Sequence, residues 1–233
     1  MVEHNIIPYL EQYGHQKYVD QNRSFTLAGK YKIPMFNPHY FGDFEITSKS
    51  SETIFVAIIN HKHNKELLFN SCRDLIKENI TNFKVIIAGR NAVNEIPPDL
   101  EKNIFLKGEV EFKSLWEIYN NSDFVIPMLN PEIGAHDRYK DGTITGTWQL
   151  ILGFLKPALI HKQFAEFYKL NNENSLILNS NSDLSKMMAI AINMNRVKYE
   201  LLQKNIKLLS DNVYNKSLEN LKYSIEQSKN YDS

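Results

Sequence analysis

Apolar residues along this chain fall in short blocks whose period keeps changing. Thr53-Ile-Phe-Val-Ala-Ile-Ile59 is a continuous apolar run of strand length, the pattern of a strand covered on both faces. From Glu66 to Ile80 the spacing becomes helical, with Leu67, Leu68, Cys72, Leu75 and Ile76 on one side. Phe83 to Gly89 reads as a second buried strand. Residues 91–102, with Pro97-Pro98, read as a loop, and Asn103-Ile-Phe-Leu106 as a third strand ended by Gly108. Phe112 to Asn121 predicts a helix with Leu115, Trp116 and Tyr119 facing inward. Phe124-Val-Ile126 is a fourth strand, followed by a loop rich in Pro, Gly, His and charge over 129–141. A helix at roughly 146–155, a strand at 158–160 and a sixth strand at 175–178 come next. Asn181 to Ser185 reads as a helix start capped by Ser182 or Asp183, and helical pattern then runs to about Ser228 with a break near 193–195.

Strand and helix alternating at this rhythm predict an α/β fold: a doubly wound, Rossmann-like parallel sheet with right-handed connections and a C-terminal helical segment. Ligands of such sheets bind beyond the C-terminal ends of the strands, which points to the loops 60–65, 89–96, 106–112, 127–147 and 160–166. Residues 1–53 differ, with scattered aromatics and prolines and no long periodic segment. They read as an N-terminal arm or linker, with the boundary at Ser48-Lys-Ser-Ser-Glu52 and the main domain over 54–233.

Composition narrows the function classes. The chain has 233 residues, 42% hydrophobic and 23% charged, which is ordinary for a globular protein. Its 27 basic and 27 acidic residues cancel, leaving no electrostatic footprint for nucleic acid. No apolar run is long enough for a transmembrane segment, and the first residues lack a signal-peptide pattern. Cys72 is the one cysteine, read as a buried small hydrophobe and consistent with a reducing compartment. The seven histidines show no metal-ligand spacing.

The stretch Lys140-Asp-Gly-Thr-Ile-Thr-Gly-Thr-Trp-Gln149 carries the strongest chemical signal. It is a turn of small and hydroxylated residues running into a helix. Gly142 and Gly146 let a bound group approach the backbone, Thr143 and Thr145 add hydroxyls, and a helix N-terminus offers unpaired N–H groups with partial positive charge. Together these describe a seat for a phosphate or diphosphate. His61, Lys62 and Lys65 supply cations in the loop after the first main strand, and Arg90 and Arg138 stand in other strand-end loops.

The order of these pieces resembles the C-terminal, donor-binding half of a GT-B glycosyltransferase, closest to the group 1 (family 4) retaining enzymes. Lys32-Ile-Pro-Met-Phe-Asn-Pro38 resembles that family's "K-I-x-V-I-P-N-P" entrance to the domain. Phe83 to Gly89 resembles its "L-V-I-V-G" strand. Asn103-Ile-Phe-Leu-Lys-Gly-Glu-Val110 with Leu115 to Pro127 resembles "I-x-F-L-G-x-V … L-x-x-L-Y-x-x-A-D-x-x-V-x-P", and Gly153-Phe-Leu-Lys-Pro157 resembles "A-x-G-K-P-V-I". The family's signature pair of glutamates falls on Asp141 and Gln149, so the spacing is kept and both residues are changed. The family's Arg after the first strand is missing, while Lys65 lies near its Lys position.

The resemblance implies a transferase that moves a sugar from a nucleotide-diphosphate donor to a glycan or lipid-linked acceptor in surface polysaccharide, lipopolysaccharide or other bacterial glycoconjugate synthesis. Asp141 and Lys65 would take the catalytic positions. Gly142, Thr143, Thr145, Gly146, Gln149, His61, Lys62, Arg90 and Arg138 would line the donor site. The implied cofactor set is empty, with no metal expected. The acceptor domain would be a missing or separate N-terminal partner. The setting would be the cytoplasm, including the inner face of the membrane. Two alternatives arise from the changed signature residues: a catalytically degraded half acting as a binding or scaffold module, and a sugar-nucleotide epimerase of the same fold.

Overall fold

The computed structural model describes residues 2–3, 11–12, 14, 25–27, 33–39, 44–59, 63–89, 95–141 and 143–231. Near the N-terminus β1 (Val2–Glu3) pairs in parallel with β2 (Phe25–Thr26), and Thr26 bridges to Met35. The main sheet begins with β3 (Thr53–Ile58), whose run of apolar residues is nearly all buried, as a strand sandwiched between helices requires. After it come α1 (Lys65–Lys77), β4 (Phe83–Ala88), β5 (Ile104–Gly108), α2 (Phe112–Asn120) and β6 (Phe124–Ile126). The second half holds α3 (Arg138–Asp141), α4 (Gly146–Phe154), β7 (Leu159–His161), α5 (Lys162–Ala165), β8 (Leu176–Leu178), α6 (Leu184–Ile192) and the long α7 (Arg196–Tyr231).

All pairings of the sheet are parallel. Strands β5-β4-β3-β6 form one ladder and β7-β8 another, joined where Val125 of β6 bridges to Ala158 at the entrance of β7. The spatial order is therefore β5-β4-β3-β6-β7-β8. Counted from β3, that is the doubly wound order 3-2-1-4-5-6, with the topological switch point between β3 and β6.

Side chains alternate across the sheet into two cores. Phe55, Ala57, Val85 and Ile87 face α1 and α6, packing on Leu68, Cys72, Leu75 and Met188. Val56 and Val125 face α2, α4 and α7, packing on Tyr119, Ile151, Leu152, Phe154 and Ile206. The predicted inward face of α2 holds for Tyr119, whereas Trp116 is 38% exposed where α2 meets Phe154 of α4.

Local chemistry sets the helix ends. Asn64 caps α1 by accepting from the Leu67 N–H, with Glu66 in the first turn and Lys77 in the last, each suited to the helix dipole. Leu155 closes α4 in the left-handed conformation, φ 55°, just before Lys156-Pro157. Asp183, one of the two predicted caps, stands at the N-cap position of α6 without a side-chain cap bond, and the short turn before it is capped by Ser180 with Asp183 as its reciprocal partner. The predicted 129–141 loop also contains a short turn at Gly134–His136 as well as α3.

Asp123 anchors the start of the sheet. Its carboxylate accepts the N–H groups of Ser50 and Ile54, both at 2.8 Å, and its carbonyl accepts the Tyr199 hydroxyl. Residues 33–39 and 44–47 lie as a strap along α7. Thr47 N–H donates to Gln203, the Asn37 N–H to Ser217 and Asn220 Nδ2 to the Met35 carbonyl, while His39 Nε2 lies 2.9 Å from the Ser210 hydroxyl. Six of the residues α7 buries, Tyr199, Gln203, Ile206, Ser210, Val213 and Ser217, step by alternating fours and threes, the spacing of a covered seam, and Leu202 and Ser224 are buried as well.

Candidate functional site

The crevice at the switch point is built from the ends of β3, β4 and β6. Its floor depends on Gly89, which comes after β4 at φ 139°, where a Cβ would sit 2.0 Å from the Ile59 carbonyl oxygen. Only glycine lets the two strand ends approach this closely, and the Gly89 N–H then pairs with the Gly108 carbonyl at 2.8 Å.

One wall is the loop after β6. Met128 takes the left-handed conformation, φ 56°, and turns the chain at the sheet edge. Asn130 locks the next turn of this loop. Its N–H donates to His136 Nδ1 at 3.0 Å, and its Oδ1 accepts from the Glu132 N–H and from Asn181 Nδ2. The His136 ring is buried and lies 5.2 Å from that of His63, which brings the loops after β3 and β6 together across the switch point.

The other wall is the start of α4. Thr145 is the N-cap, its hydroxyl accepting from the Trp148 N–H at 3.3 Å. Tyr168 braces this turn from beneath: its hydroxyl accepts from the Thr145 N–H and donates to the Thr143 carbonyl, both at 3.3 Å, and its own carbonyl accepts from Trp148 Nε1. Burial pushes the Tyr168 phenol up, so it stays protonated and able to donate. The Thr143 N–H is used by the Arg138 carbonyl. Thr143 is 2% exposed, and its hydroxyl has no hydrogen-bond partner. Of the turn's donors, Gly146 and Thr147 carry the first-turn N–H groups that neither the cap nor Tyr168 takes up, and Gly146 is exposed.

The remaining predicted residues distribute unevenly. Lys65 is the first residue of α1, exposed, and lines a cleft of about 490 Å³ with Glu66, Phe69, Ile96 and Pro97. Arg138 is exposed, with its guanidinium 4.7 Å over the Tyr139 ring and bonded to the Tyr139 hydroxyl. Gln149 is half-buried and donates from Nε2 to Asn37 Oδ1 at 3.1 Å. Asp141 is the last residue of α3, and its side chain lies outside the described residues, as do Gly142, His61, Lys62 and Arg90.

Four residues of this region carried no sequence signal of a role at the site: Asn37, Asn130, His136 and Tyr168. Each acts through a long-range or loop contact that no local period encodes. His161, at the end of β7, is also buried. Its Nδ1 accepts from the Gln163 N–H, and burial, then the Lys162 charge, hold it below the ordinary histidine range. Among the described residues no group of three or more His, Cys, Asp or Glu could hold a metal ion, and no helix is long and apolar enough to cross a membrane.

Comparison with known proteins gives a fold and no closer kinship. No protein-family model matches the chain, and no curated protein does either. Among solved structures, TarM is similar over 93% of this chain and 46% of its own, at 14% identity and a TM-score of 0.58. A UDP-forming α,α-trehalose-phosphate synthase from Burkholderia vietnamiensis is similar over 78% and 46%, at 8% identity and 0.56. One chain in the structure of accessory secretory proteins 1, 2 and 3 from Streptococcus pneumoniae is similar over 99% and 43%, at 12% identity and 0.59. The chain spans less than half the length of each of these. Its fold is that of one Rossmann-like half of a GT-B glycosyltransferase, as the sequence resemblance implied.

Proposed function

We propose that this chain is the donor-binding half of a glycosyltransferase that moves a sugar from a nucleotide-diphosphate donor to a glycan or lipid-linked acceptor. The observation that carries the reading is the turn into α4 at the C-terminal edge of a 3-2-1-4-5-6 sheet. Gly146 and Thr147 hold N–H groups there, and Thr143 holds a buried, unpartnered hydroxyl. As a glycosidic bond breaks, negative charge develops on the leaving diphosphate, and preset donors lower the barrier. In this reading the helix N–H groups, with Lys65 from the start of α1, carry that charge without a metal ion. Asp141 accepts hydrogen bonds from sugar hydroxyls, and Gln149 takes a ribose hydroxyl. A retaining outcome, a role in surface polysaccharide synthesis and a separate acceptor domain belong to the same proposal.

Thermal-shift and titration measurements with UDP- and GDP-sugars test it. One nucleotide class is expected to raise the melting temperature, and Gly142→Val to abolish the effect by blocking backbone approach. Asp141→Ala and Lys65→Ala should each weaken binding without unfolding the chain.

A second reading is favoured by one observation. The similarity to the accessory secretory protein complex covers nearly this whole chain. A half of this fold without transfer chemistry would serve as a binding or scaffold module. Absence of any nucleotide binding to the intact chain would select that reading.

A further inference from the structure

A helix covered along one side ordinarily keeps its opposite side polar. The helix α7 does not. Across from the seam that carries Tyr199, Gln203, Ile206 and Ser210, the side chains of Val197, Leu201 and Leu208 are 77%, 54% and 62% exposed. At about 100° per residue their spacing returns all three to one direction within about 40°. Lys204, also exposed, fills the place between the two leucines, so the stripe 197, 201, 204, 208 steps by fours and threes like one side of a coiled coil. One flank of the stripe is closed. Asn205 is half-buried there and donates from Nδ2 to the Glu173 carbonyl at 2.7 Å, which holds the turn before β8 against the helix. The other flank is open and carries Glu200 and Lys207, of opposite charge and seven residues apart. Within the chain Glu200 pairs with Arg196 and Lys207 with Asp211, each one turn away. Exposed pairs of this kind are weak enough to exchange partners.

We infer that this face of α7 docks a second copy of the chain, the two helices running antiparallel. Laid head to tail along the stripe, they bring Leu208 against Val197 of the second copy and Leu201 against the aliphatic stem of its Lys204, each twice by symmetry. The same register sets Glu200 of each copy level with Lys207 of the other, so the open flanks close with opposite charges. A parallel pairing would turn each open flank onto the closed flank of the other copy, where Glu200 would face Asn205 and find no base. The stripe with its two charges is thus its own complement, which is what a two-fold contact requires. The paired stretch is about 17 Å long. It covers less than the roughly 800 Å² per partner of a stable complex, so the association is reversible, half complete at about 50 µM chain.

Sedimentation velocity of the intact chain, from about 2 to about 400 µM, tests this, with the mean mass expected to rise from one chain toward two across that range. Leu208→Glu should weaken association by about tenfold or more, since it sets a charge against Val197 of the second copy. Glu200→Lys and Lys207→Glu, made singly, should each weaken it by about five- to tenfold, because like charges then meet across the contact. The double variant that exchanges the two charges should return to within about threefold of wild type. That variant breaks both pairs inside the chain as well, so recovery can come only from contact between copies. All these positions lie on the open side of α7, so the variants should melt within about 2 °C of wild type. A chain that stays monomeric to the highest concentration leaves the stripe to some other protein and overturns the proposal. So does a dimer that Leu208→Glu leaves intact, or a charge exchange that fails to recover what the single changes lose.

Discussion

Single side chains decide two properties of this molecule. Gly89 sits where a Cβ would occupy the Ile59 carbonyl. Gly89→Ala should cost about 3 kcal/mol or more, because neither backbone can yield without breaking the ladder, and chemical denaturation reads it directly. Lys156 is 2% exposed, and its ammonium donates to the Asn120 carbonyl at 3.0 Å. Burial pulls its pKa down to about 8, against the partial support of the Asp123 charge. The unfolded chain keeps that proton up to the ordinary lysine value, so between pH 8 and about 10.4 it binds more protons than the folded chain does. Stability from this group therefore rises with pH across that window, by up to about 3 kcal/mol, and the cost of the buried charge is carried in full below it. Urea melts from pH 7 to 10 on wild type and Lys156→Met check this: the rise should be present in the first and flattened in the second.

At the scale of elements, α4 is the piece whose ends matter most. Its N-terminal turn has two independent supports, the Thr145 cap and the Tyr168 hydroxyl. Thr145→Ala should cost about 1 kcal/mol, and Tyr168→Phe about 1–3 kcal/mol, since it leaves a buried N–H and carbonyl without their shared partner. Of the two, Tyr168→Phe should weaken nucleotide binding further, because it frees the backbone on which Thr143 and Gly146 are carried. Melting curves and nucleotide titrations on both variants separate the effects.

The elements also show what could be read in advance. Long periodic blocks were legible: β3, β4, β6, α1, α4 and the run into α7 fall within a few residues of their predicted spans, because burial on both faces or on one stripe leaves a period behind. The helices α3 and α5, at four residues each, are too short to show one. Trp116 belonged to an inward stripe by spacing alone and lies at the border of two helices instead. In the candidate site, the sequence put Thr145 in the turn that runs into a helix at roughly 146–155, and the structure makes it the N-cap. Spacing could not foresee that Gln149 would turn to a strap residue more than a hundred positions away, nor that Tyr168 would stand beneath the turn. Such contacts depend on tertiary placement, which no local pattern encodes.

At the scale of the whole molecule, the chain carries one half of a fold and matches less than half the length of each similar structure. In the proposed function the isolated chain should bind donor weakly and transfer little, since the half that would hold the acceptor is absent. Adding a separately expressed acceptor half should restore transfer, and a titration of one half into the other with radiolabelled donor measures it.

The covered seam of α7 returns Gln203, Ser210 and Ser217 to the same side at every seventh residue, each opposite a strap group. A helix turns about 100° per residue, so seven residues bring it back within about 20° of its starting direction. One alanine inserted after Leu208 would swing Ser210 and Ser217 a quarter of the way round the barrel of the helix and out from under the strap. The anchor at Gln203 would stay, and Asn37 would lose its seat. Seven inserted residues would restore the angle but displace every later anchor by about 10 Å along the axis. The length of this helix is thus not free to drift: it is indexed, like the teeth of a rack, to an extended segment near the other end of the polypeptide.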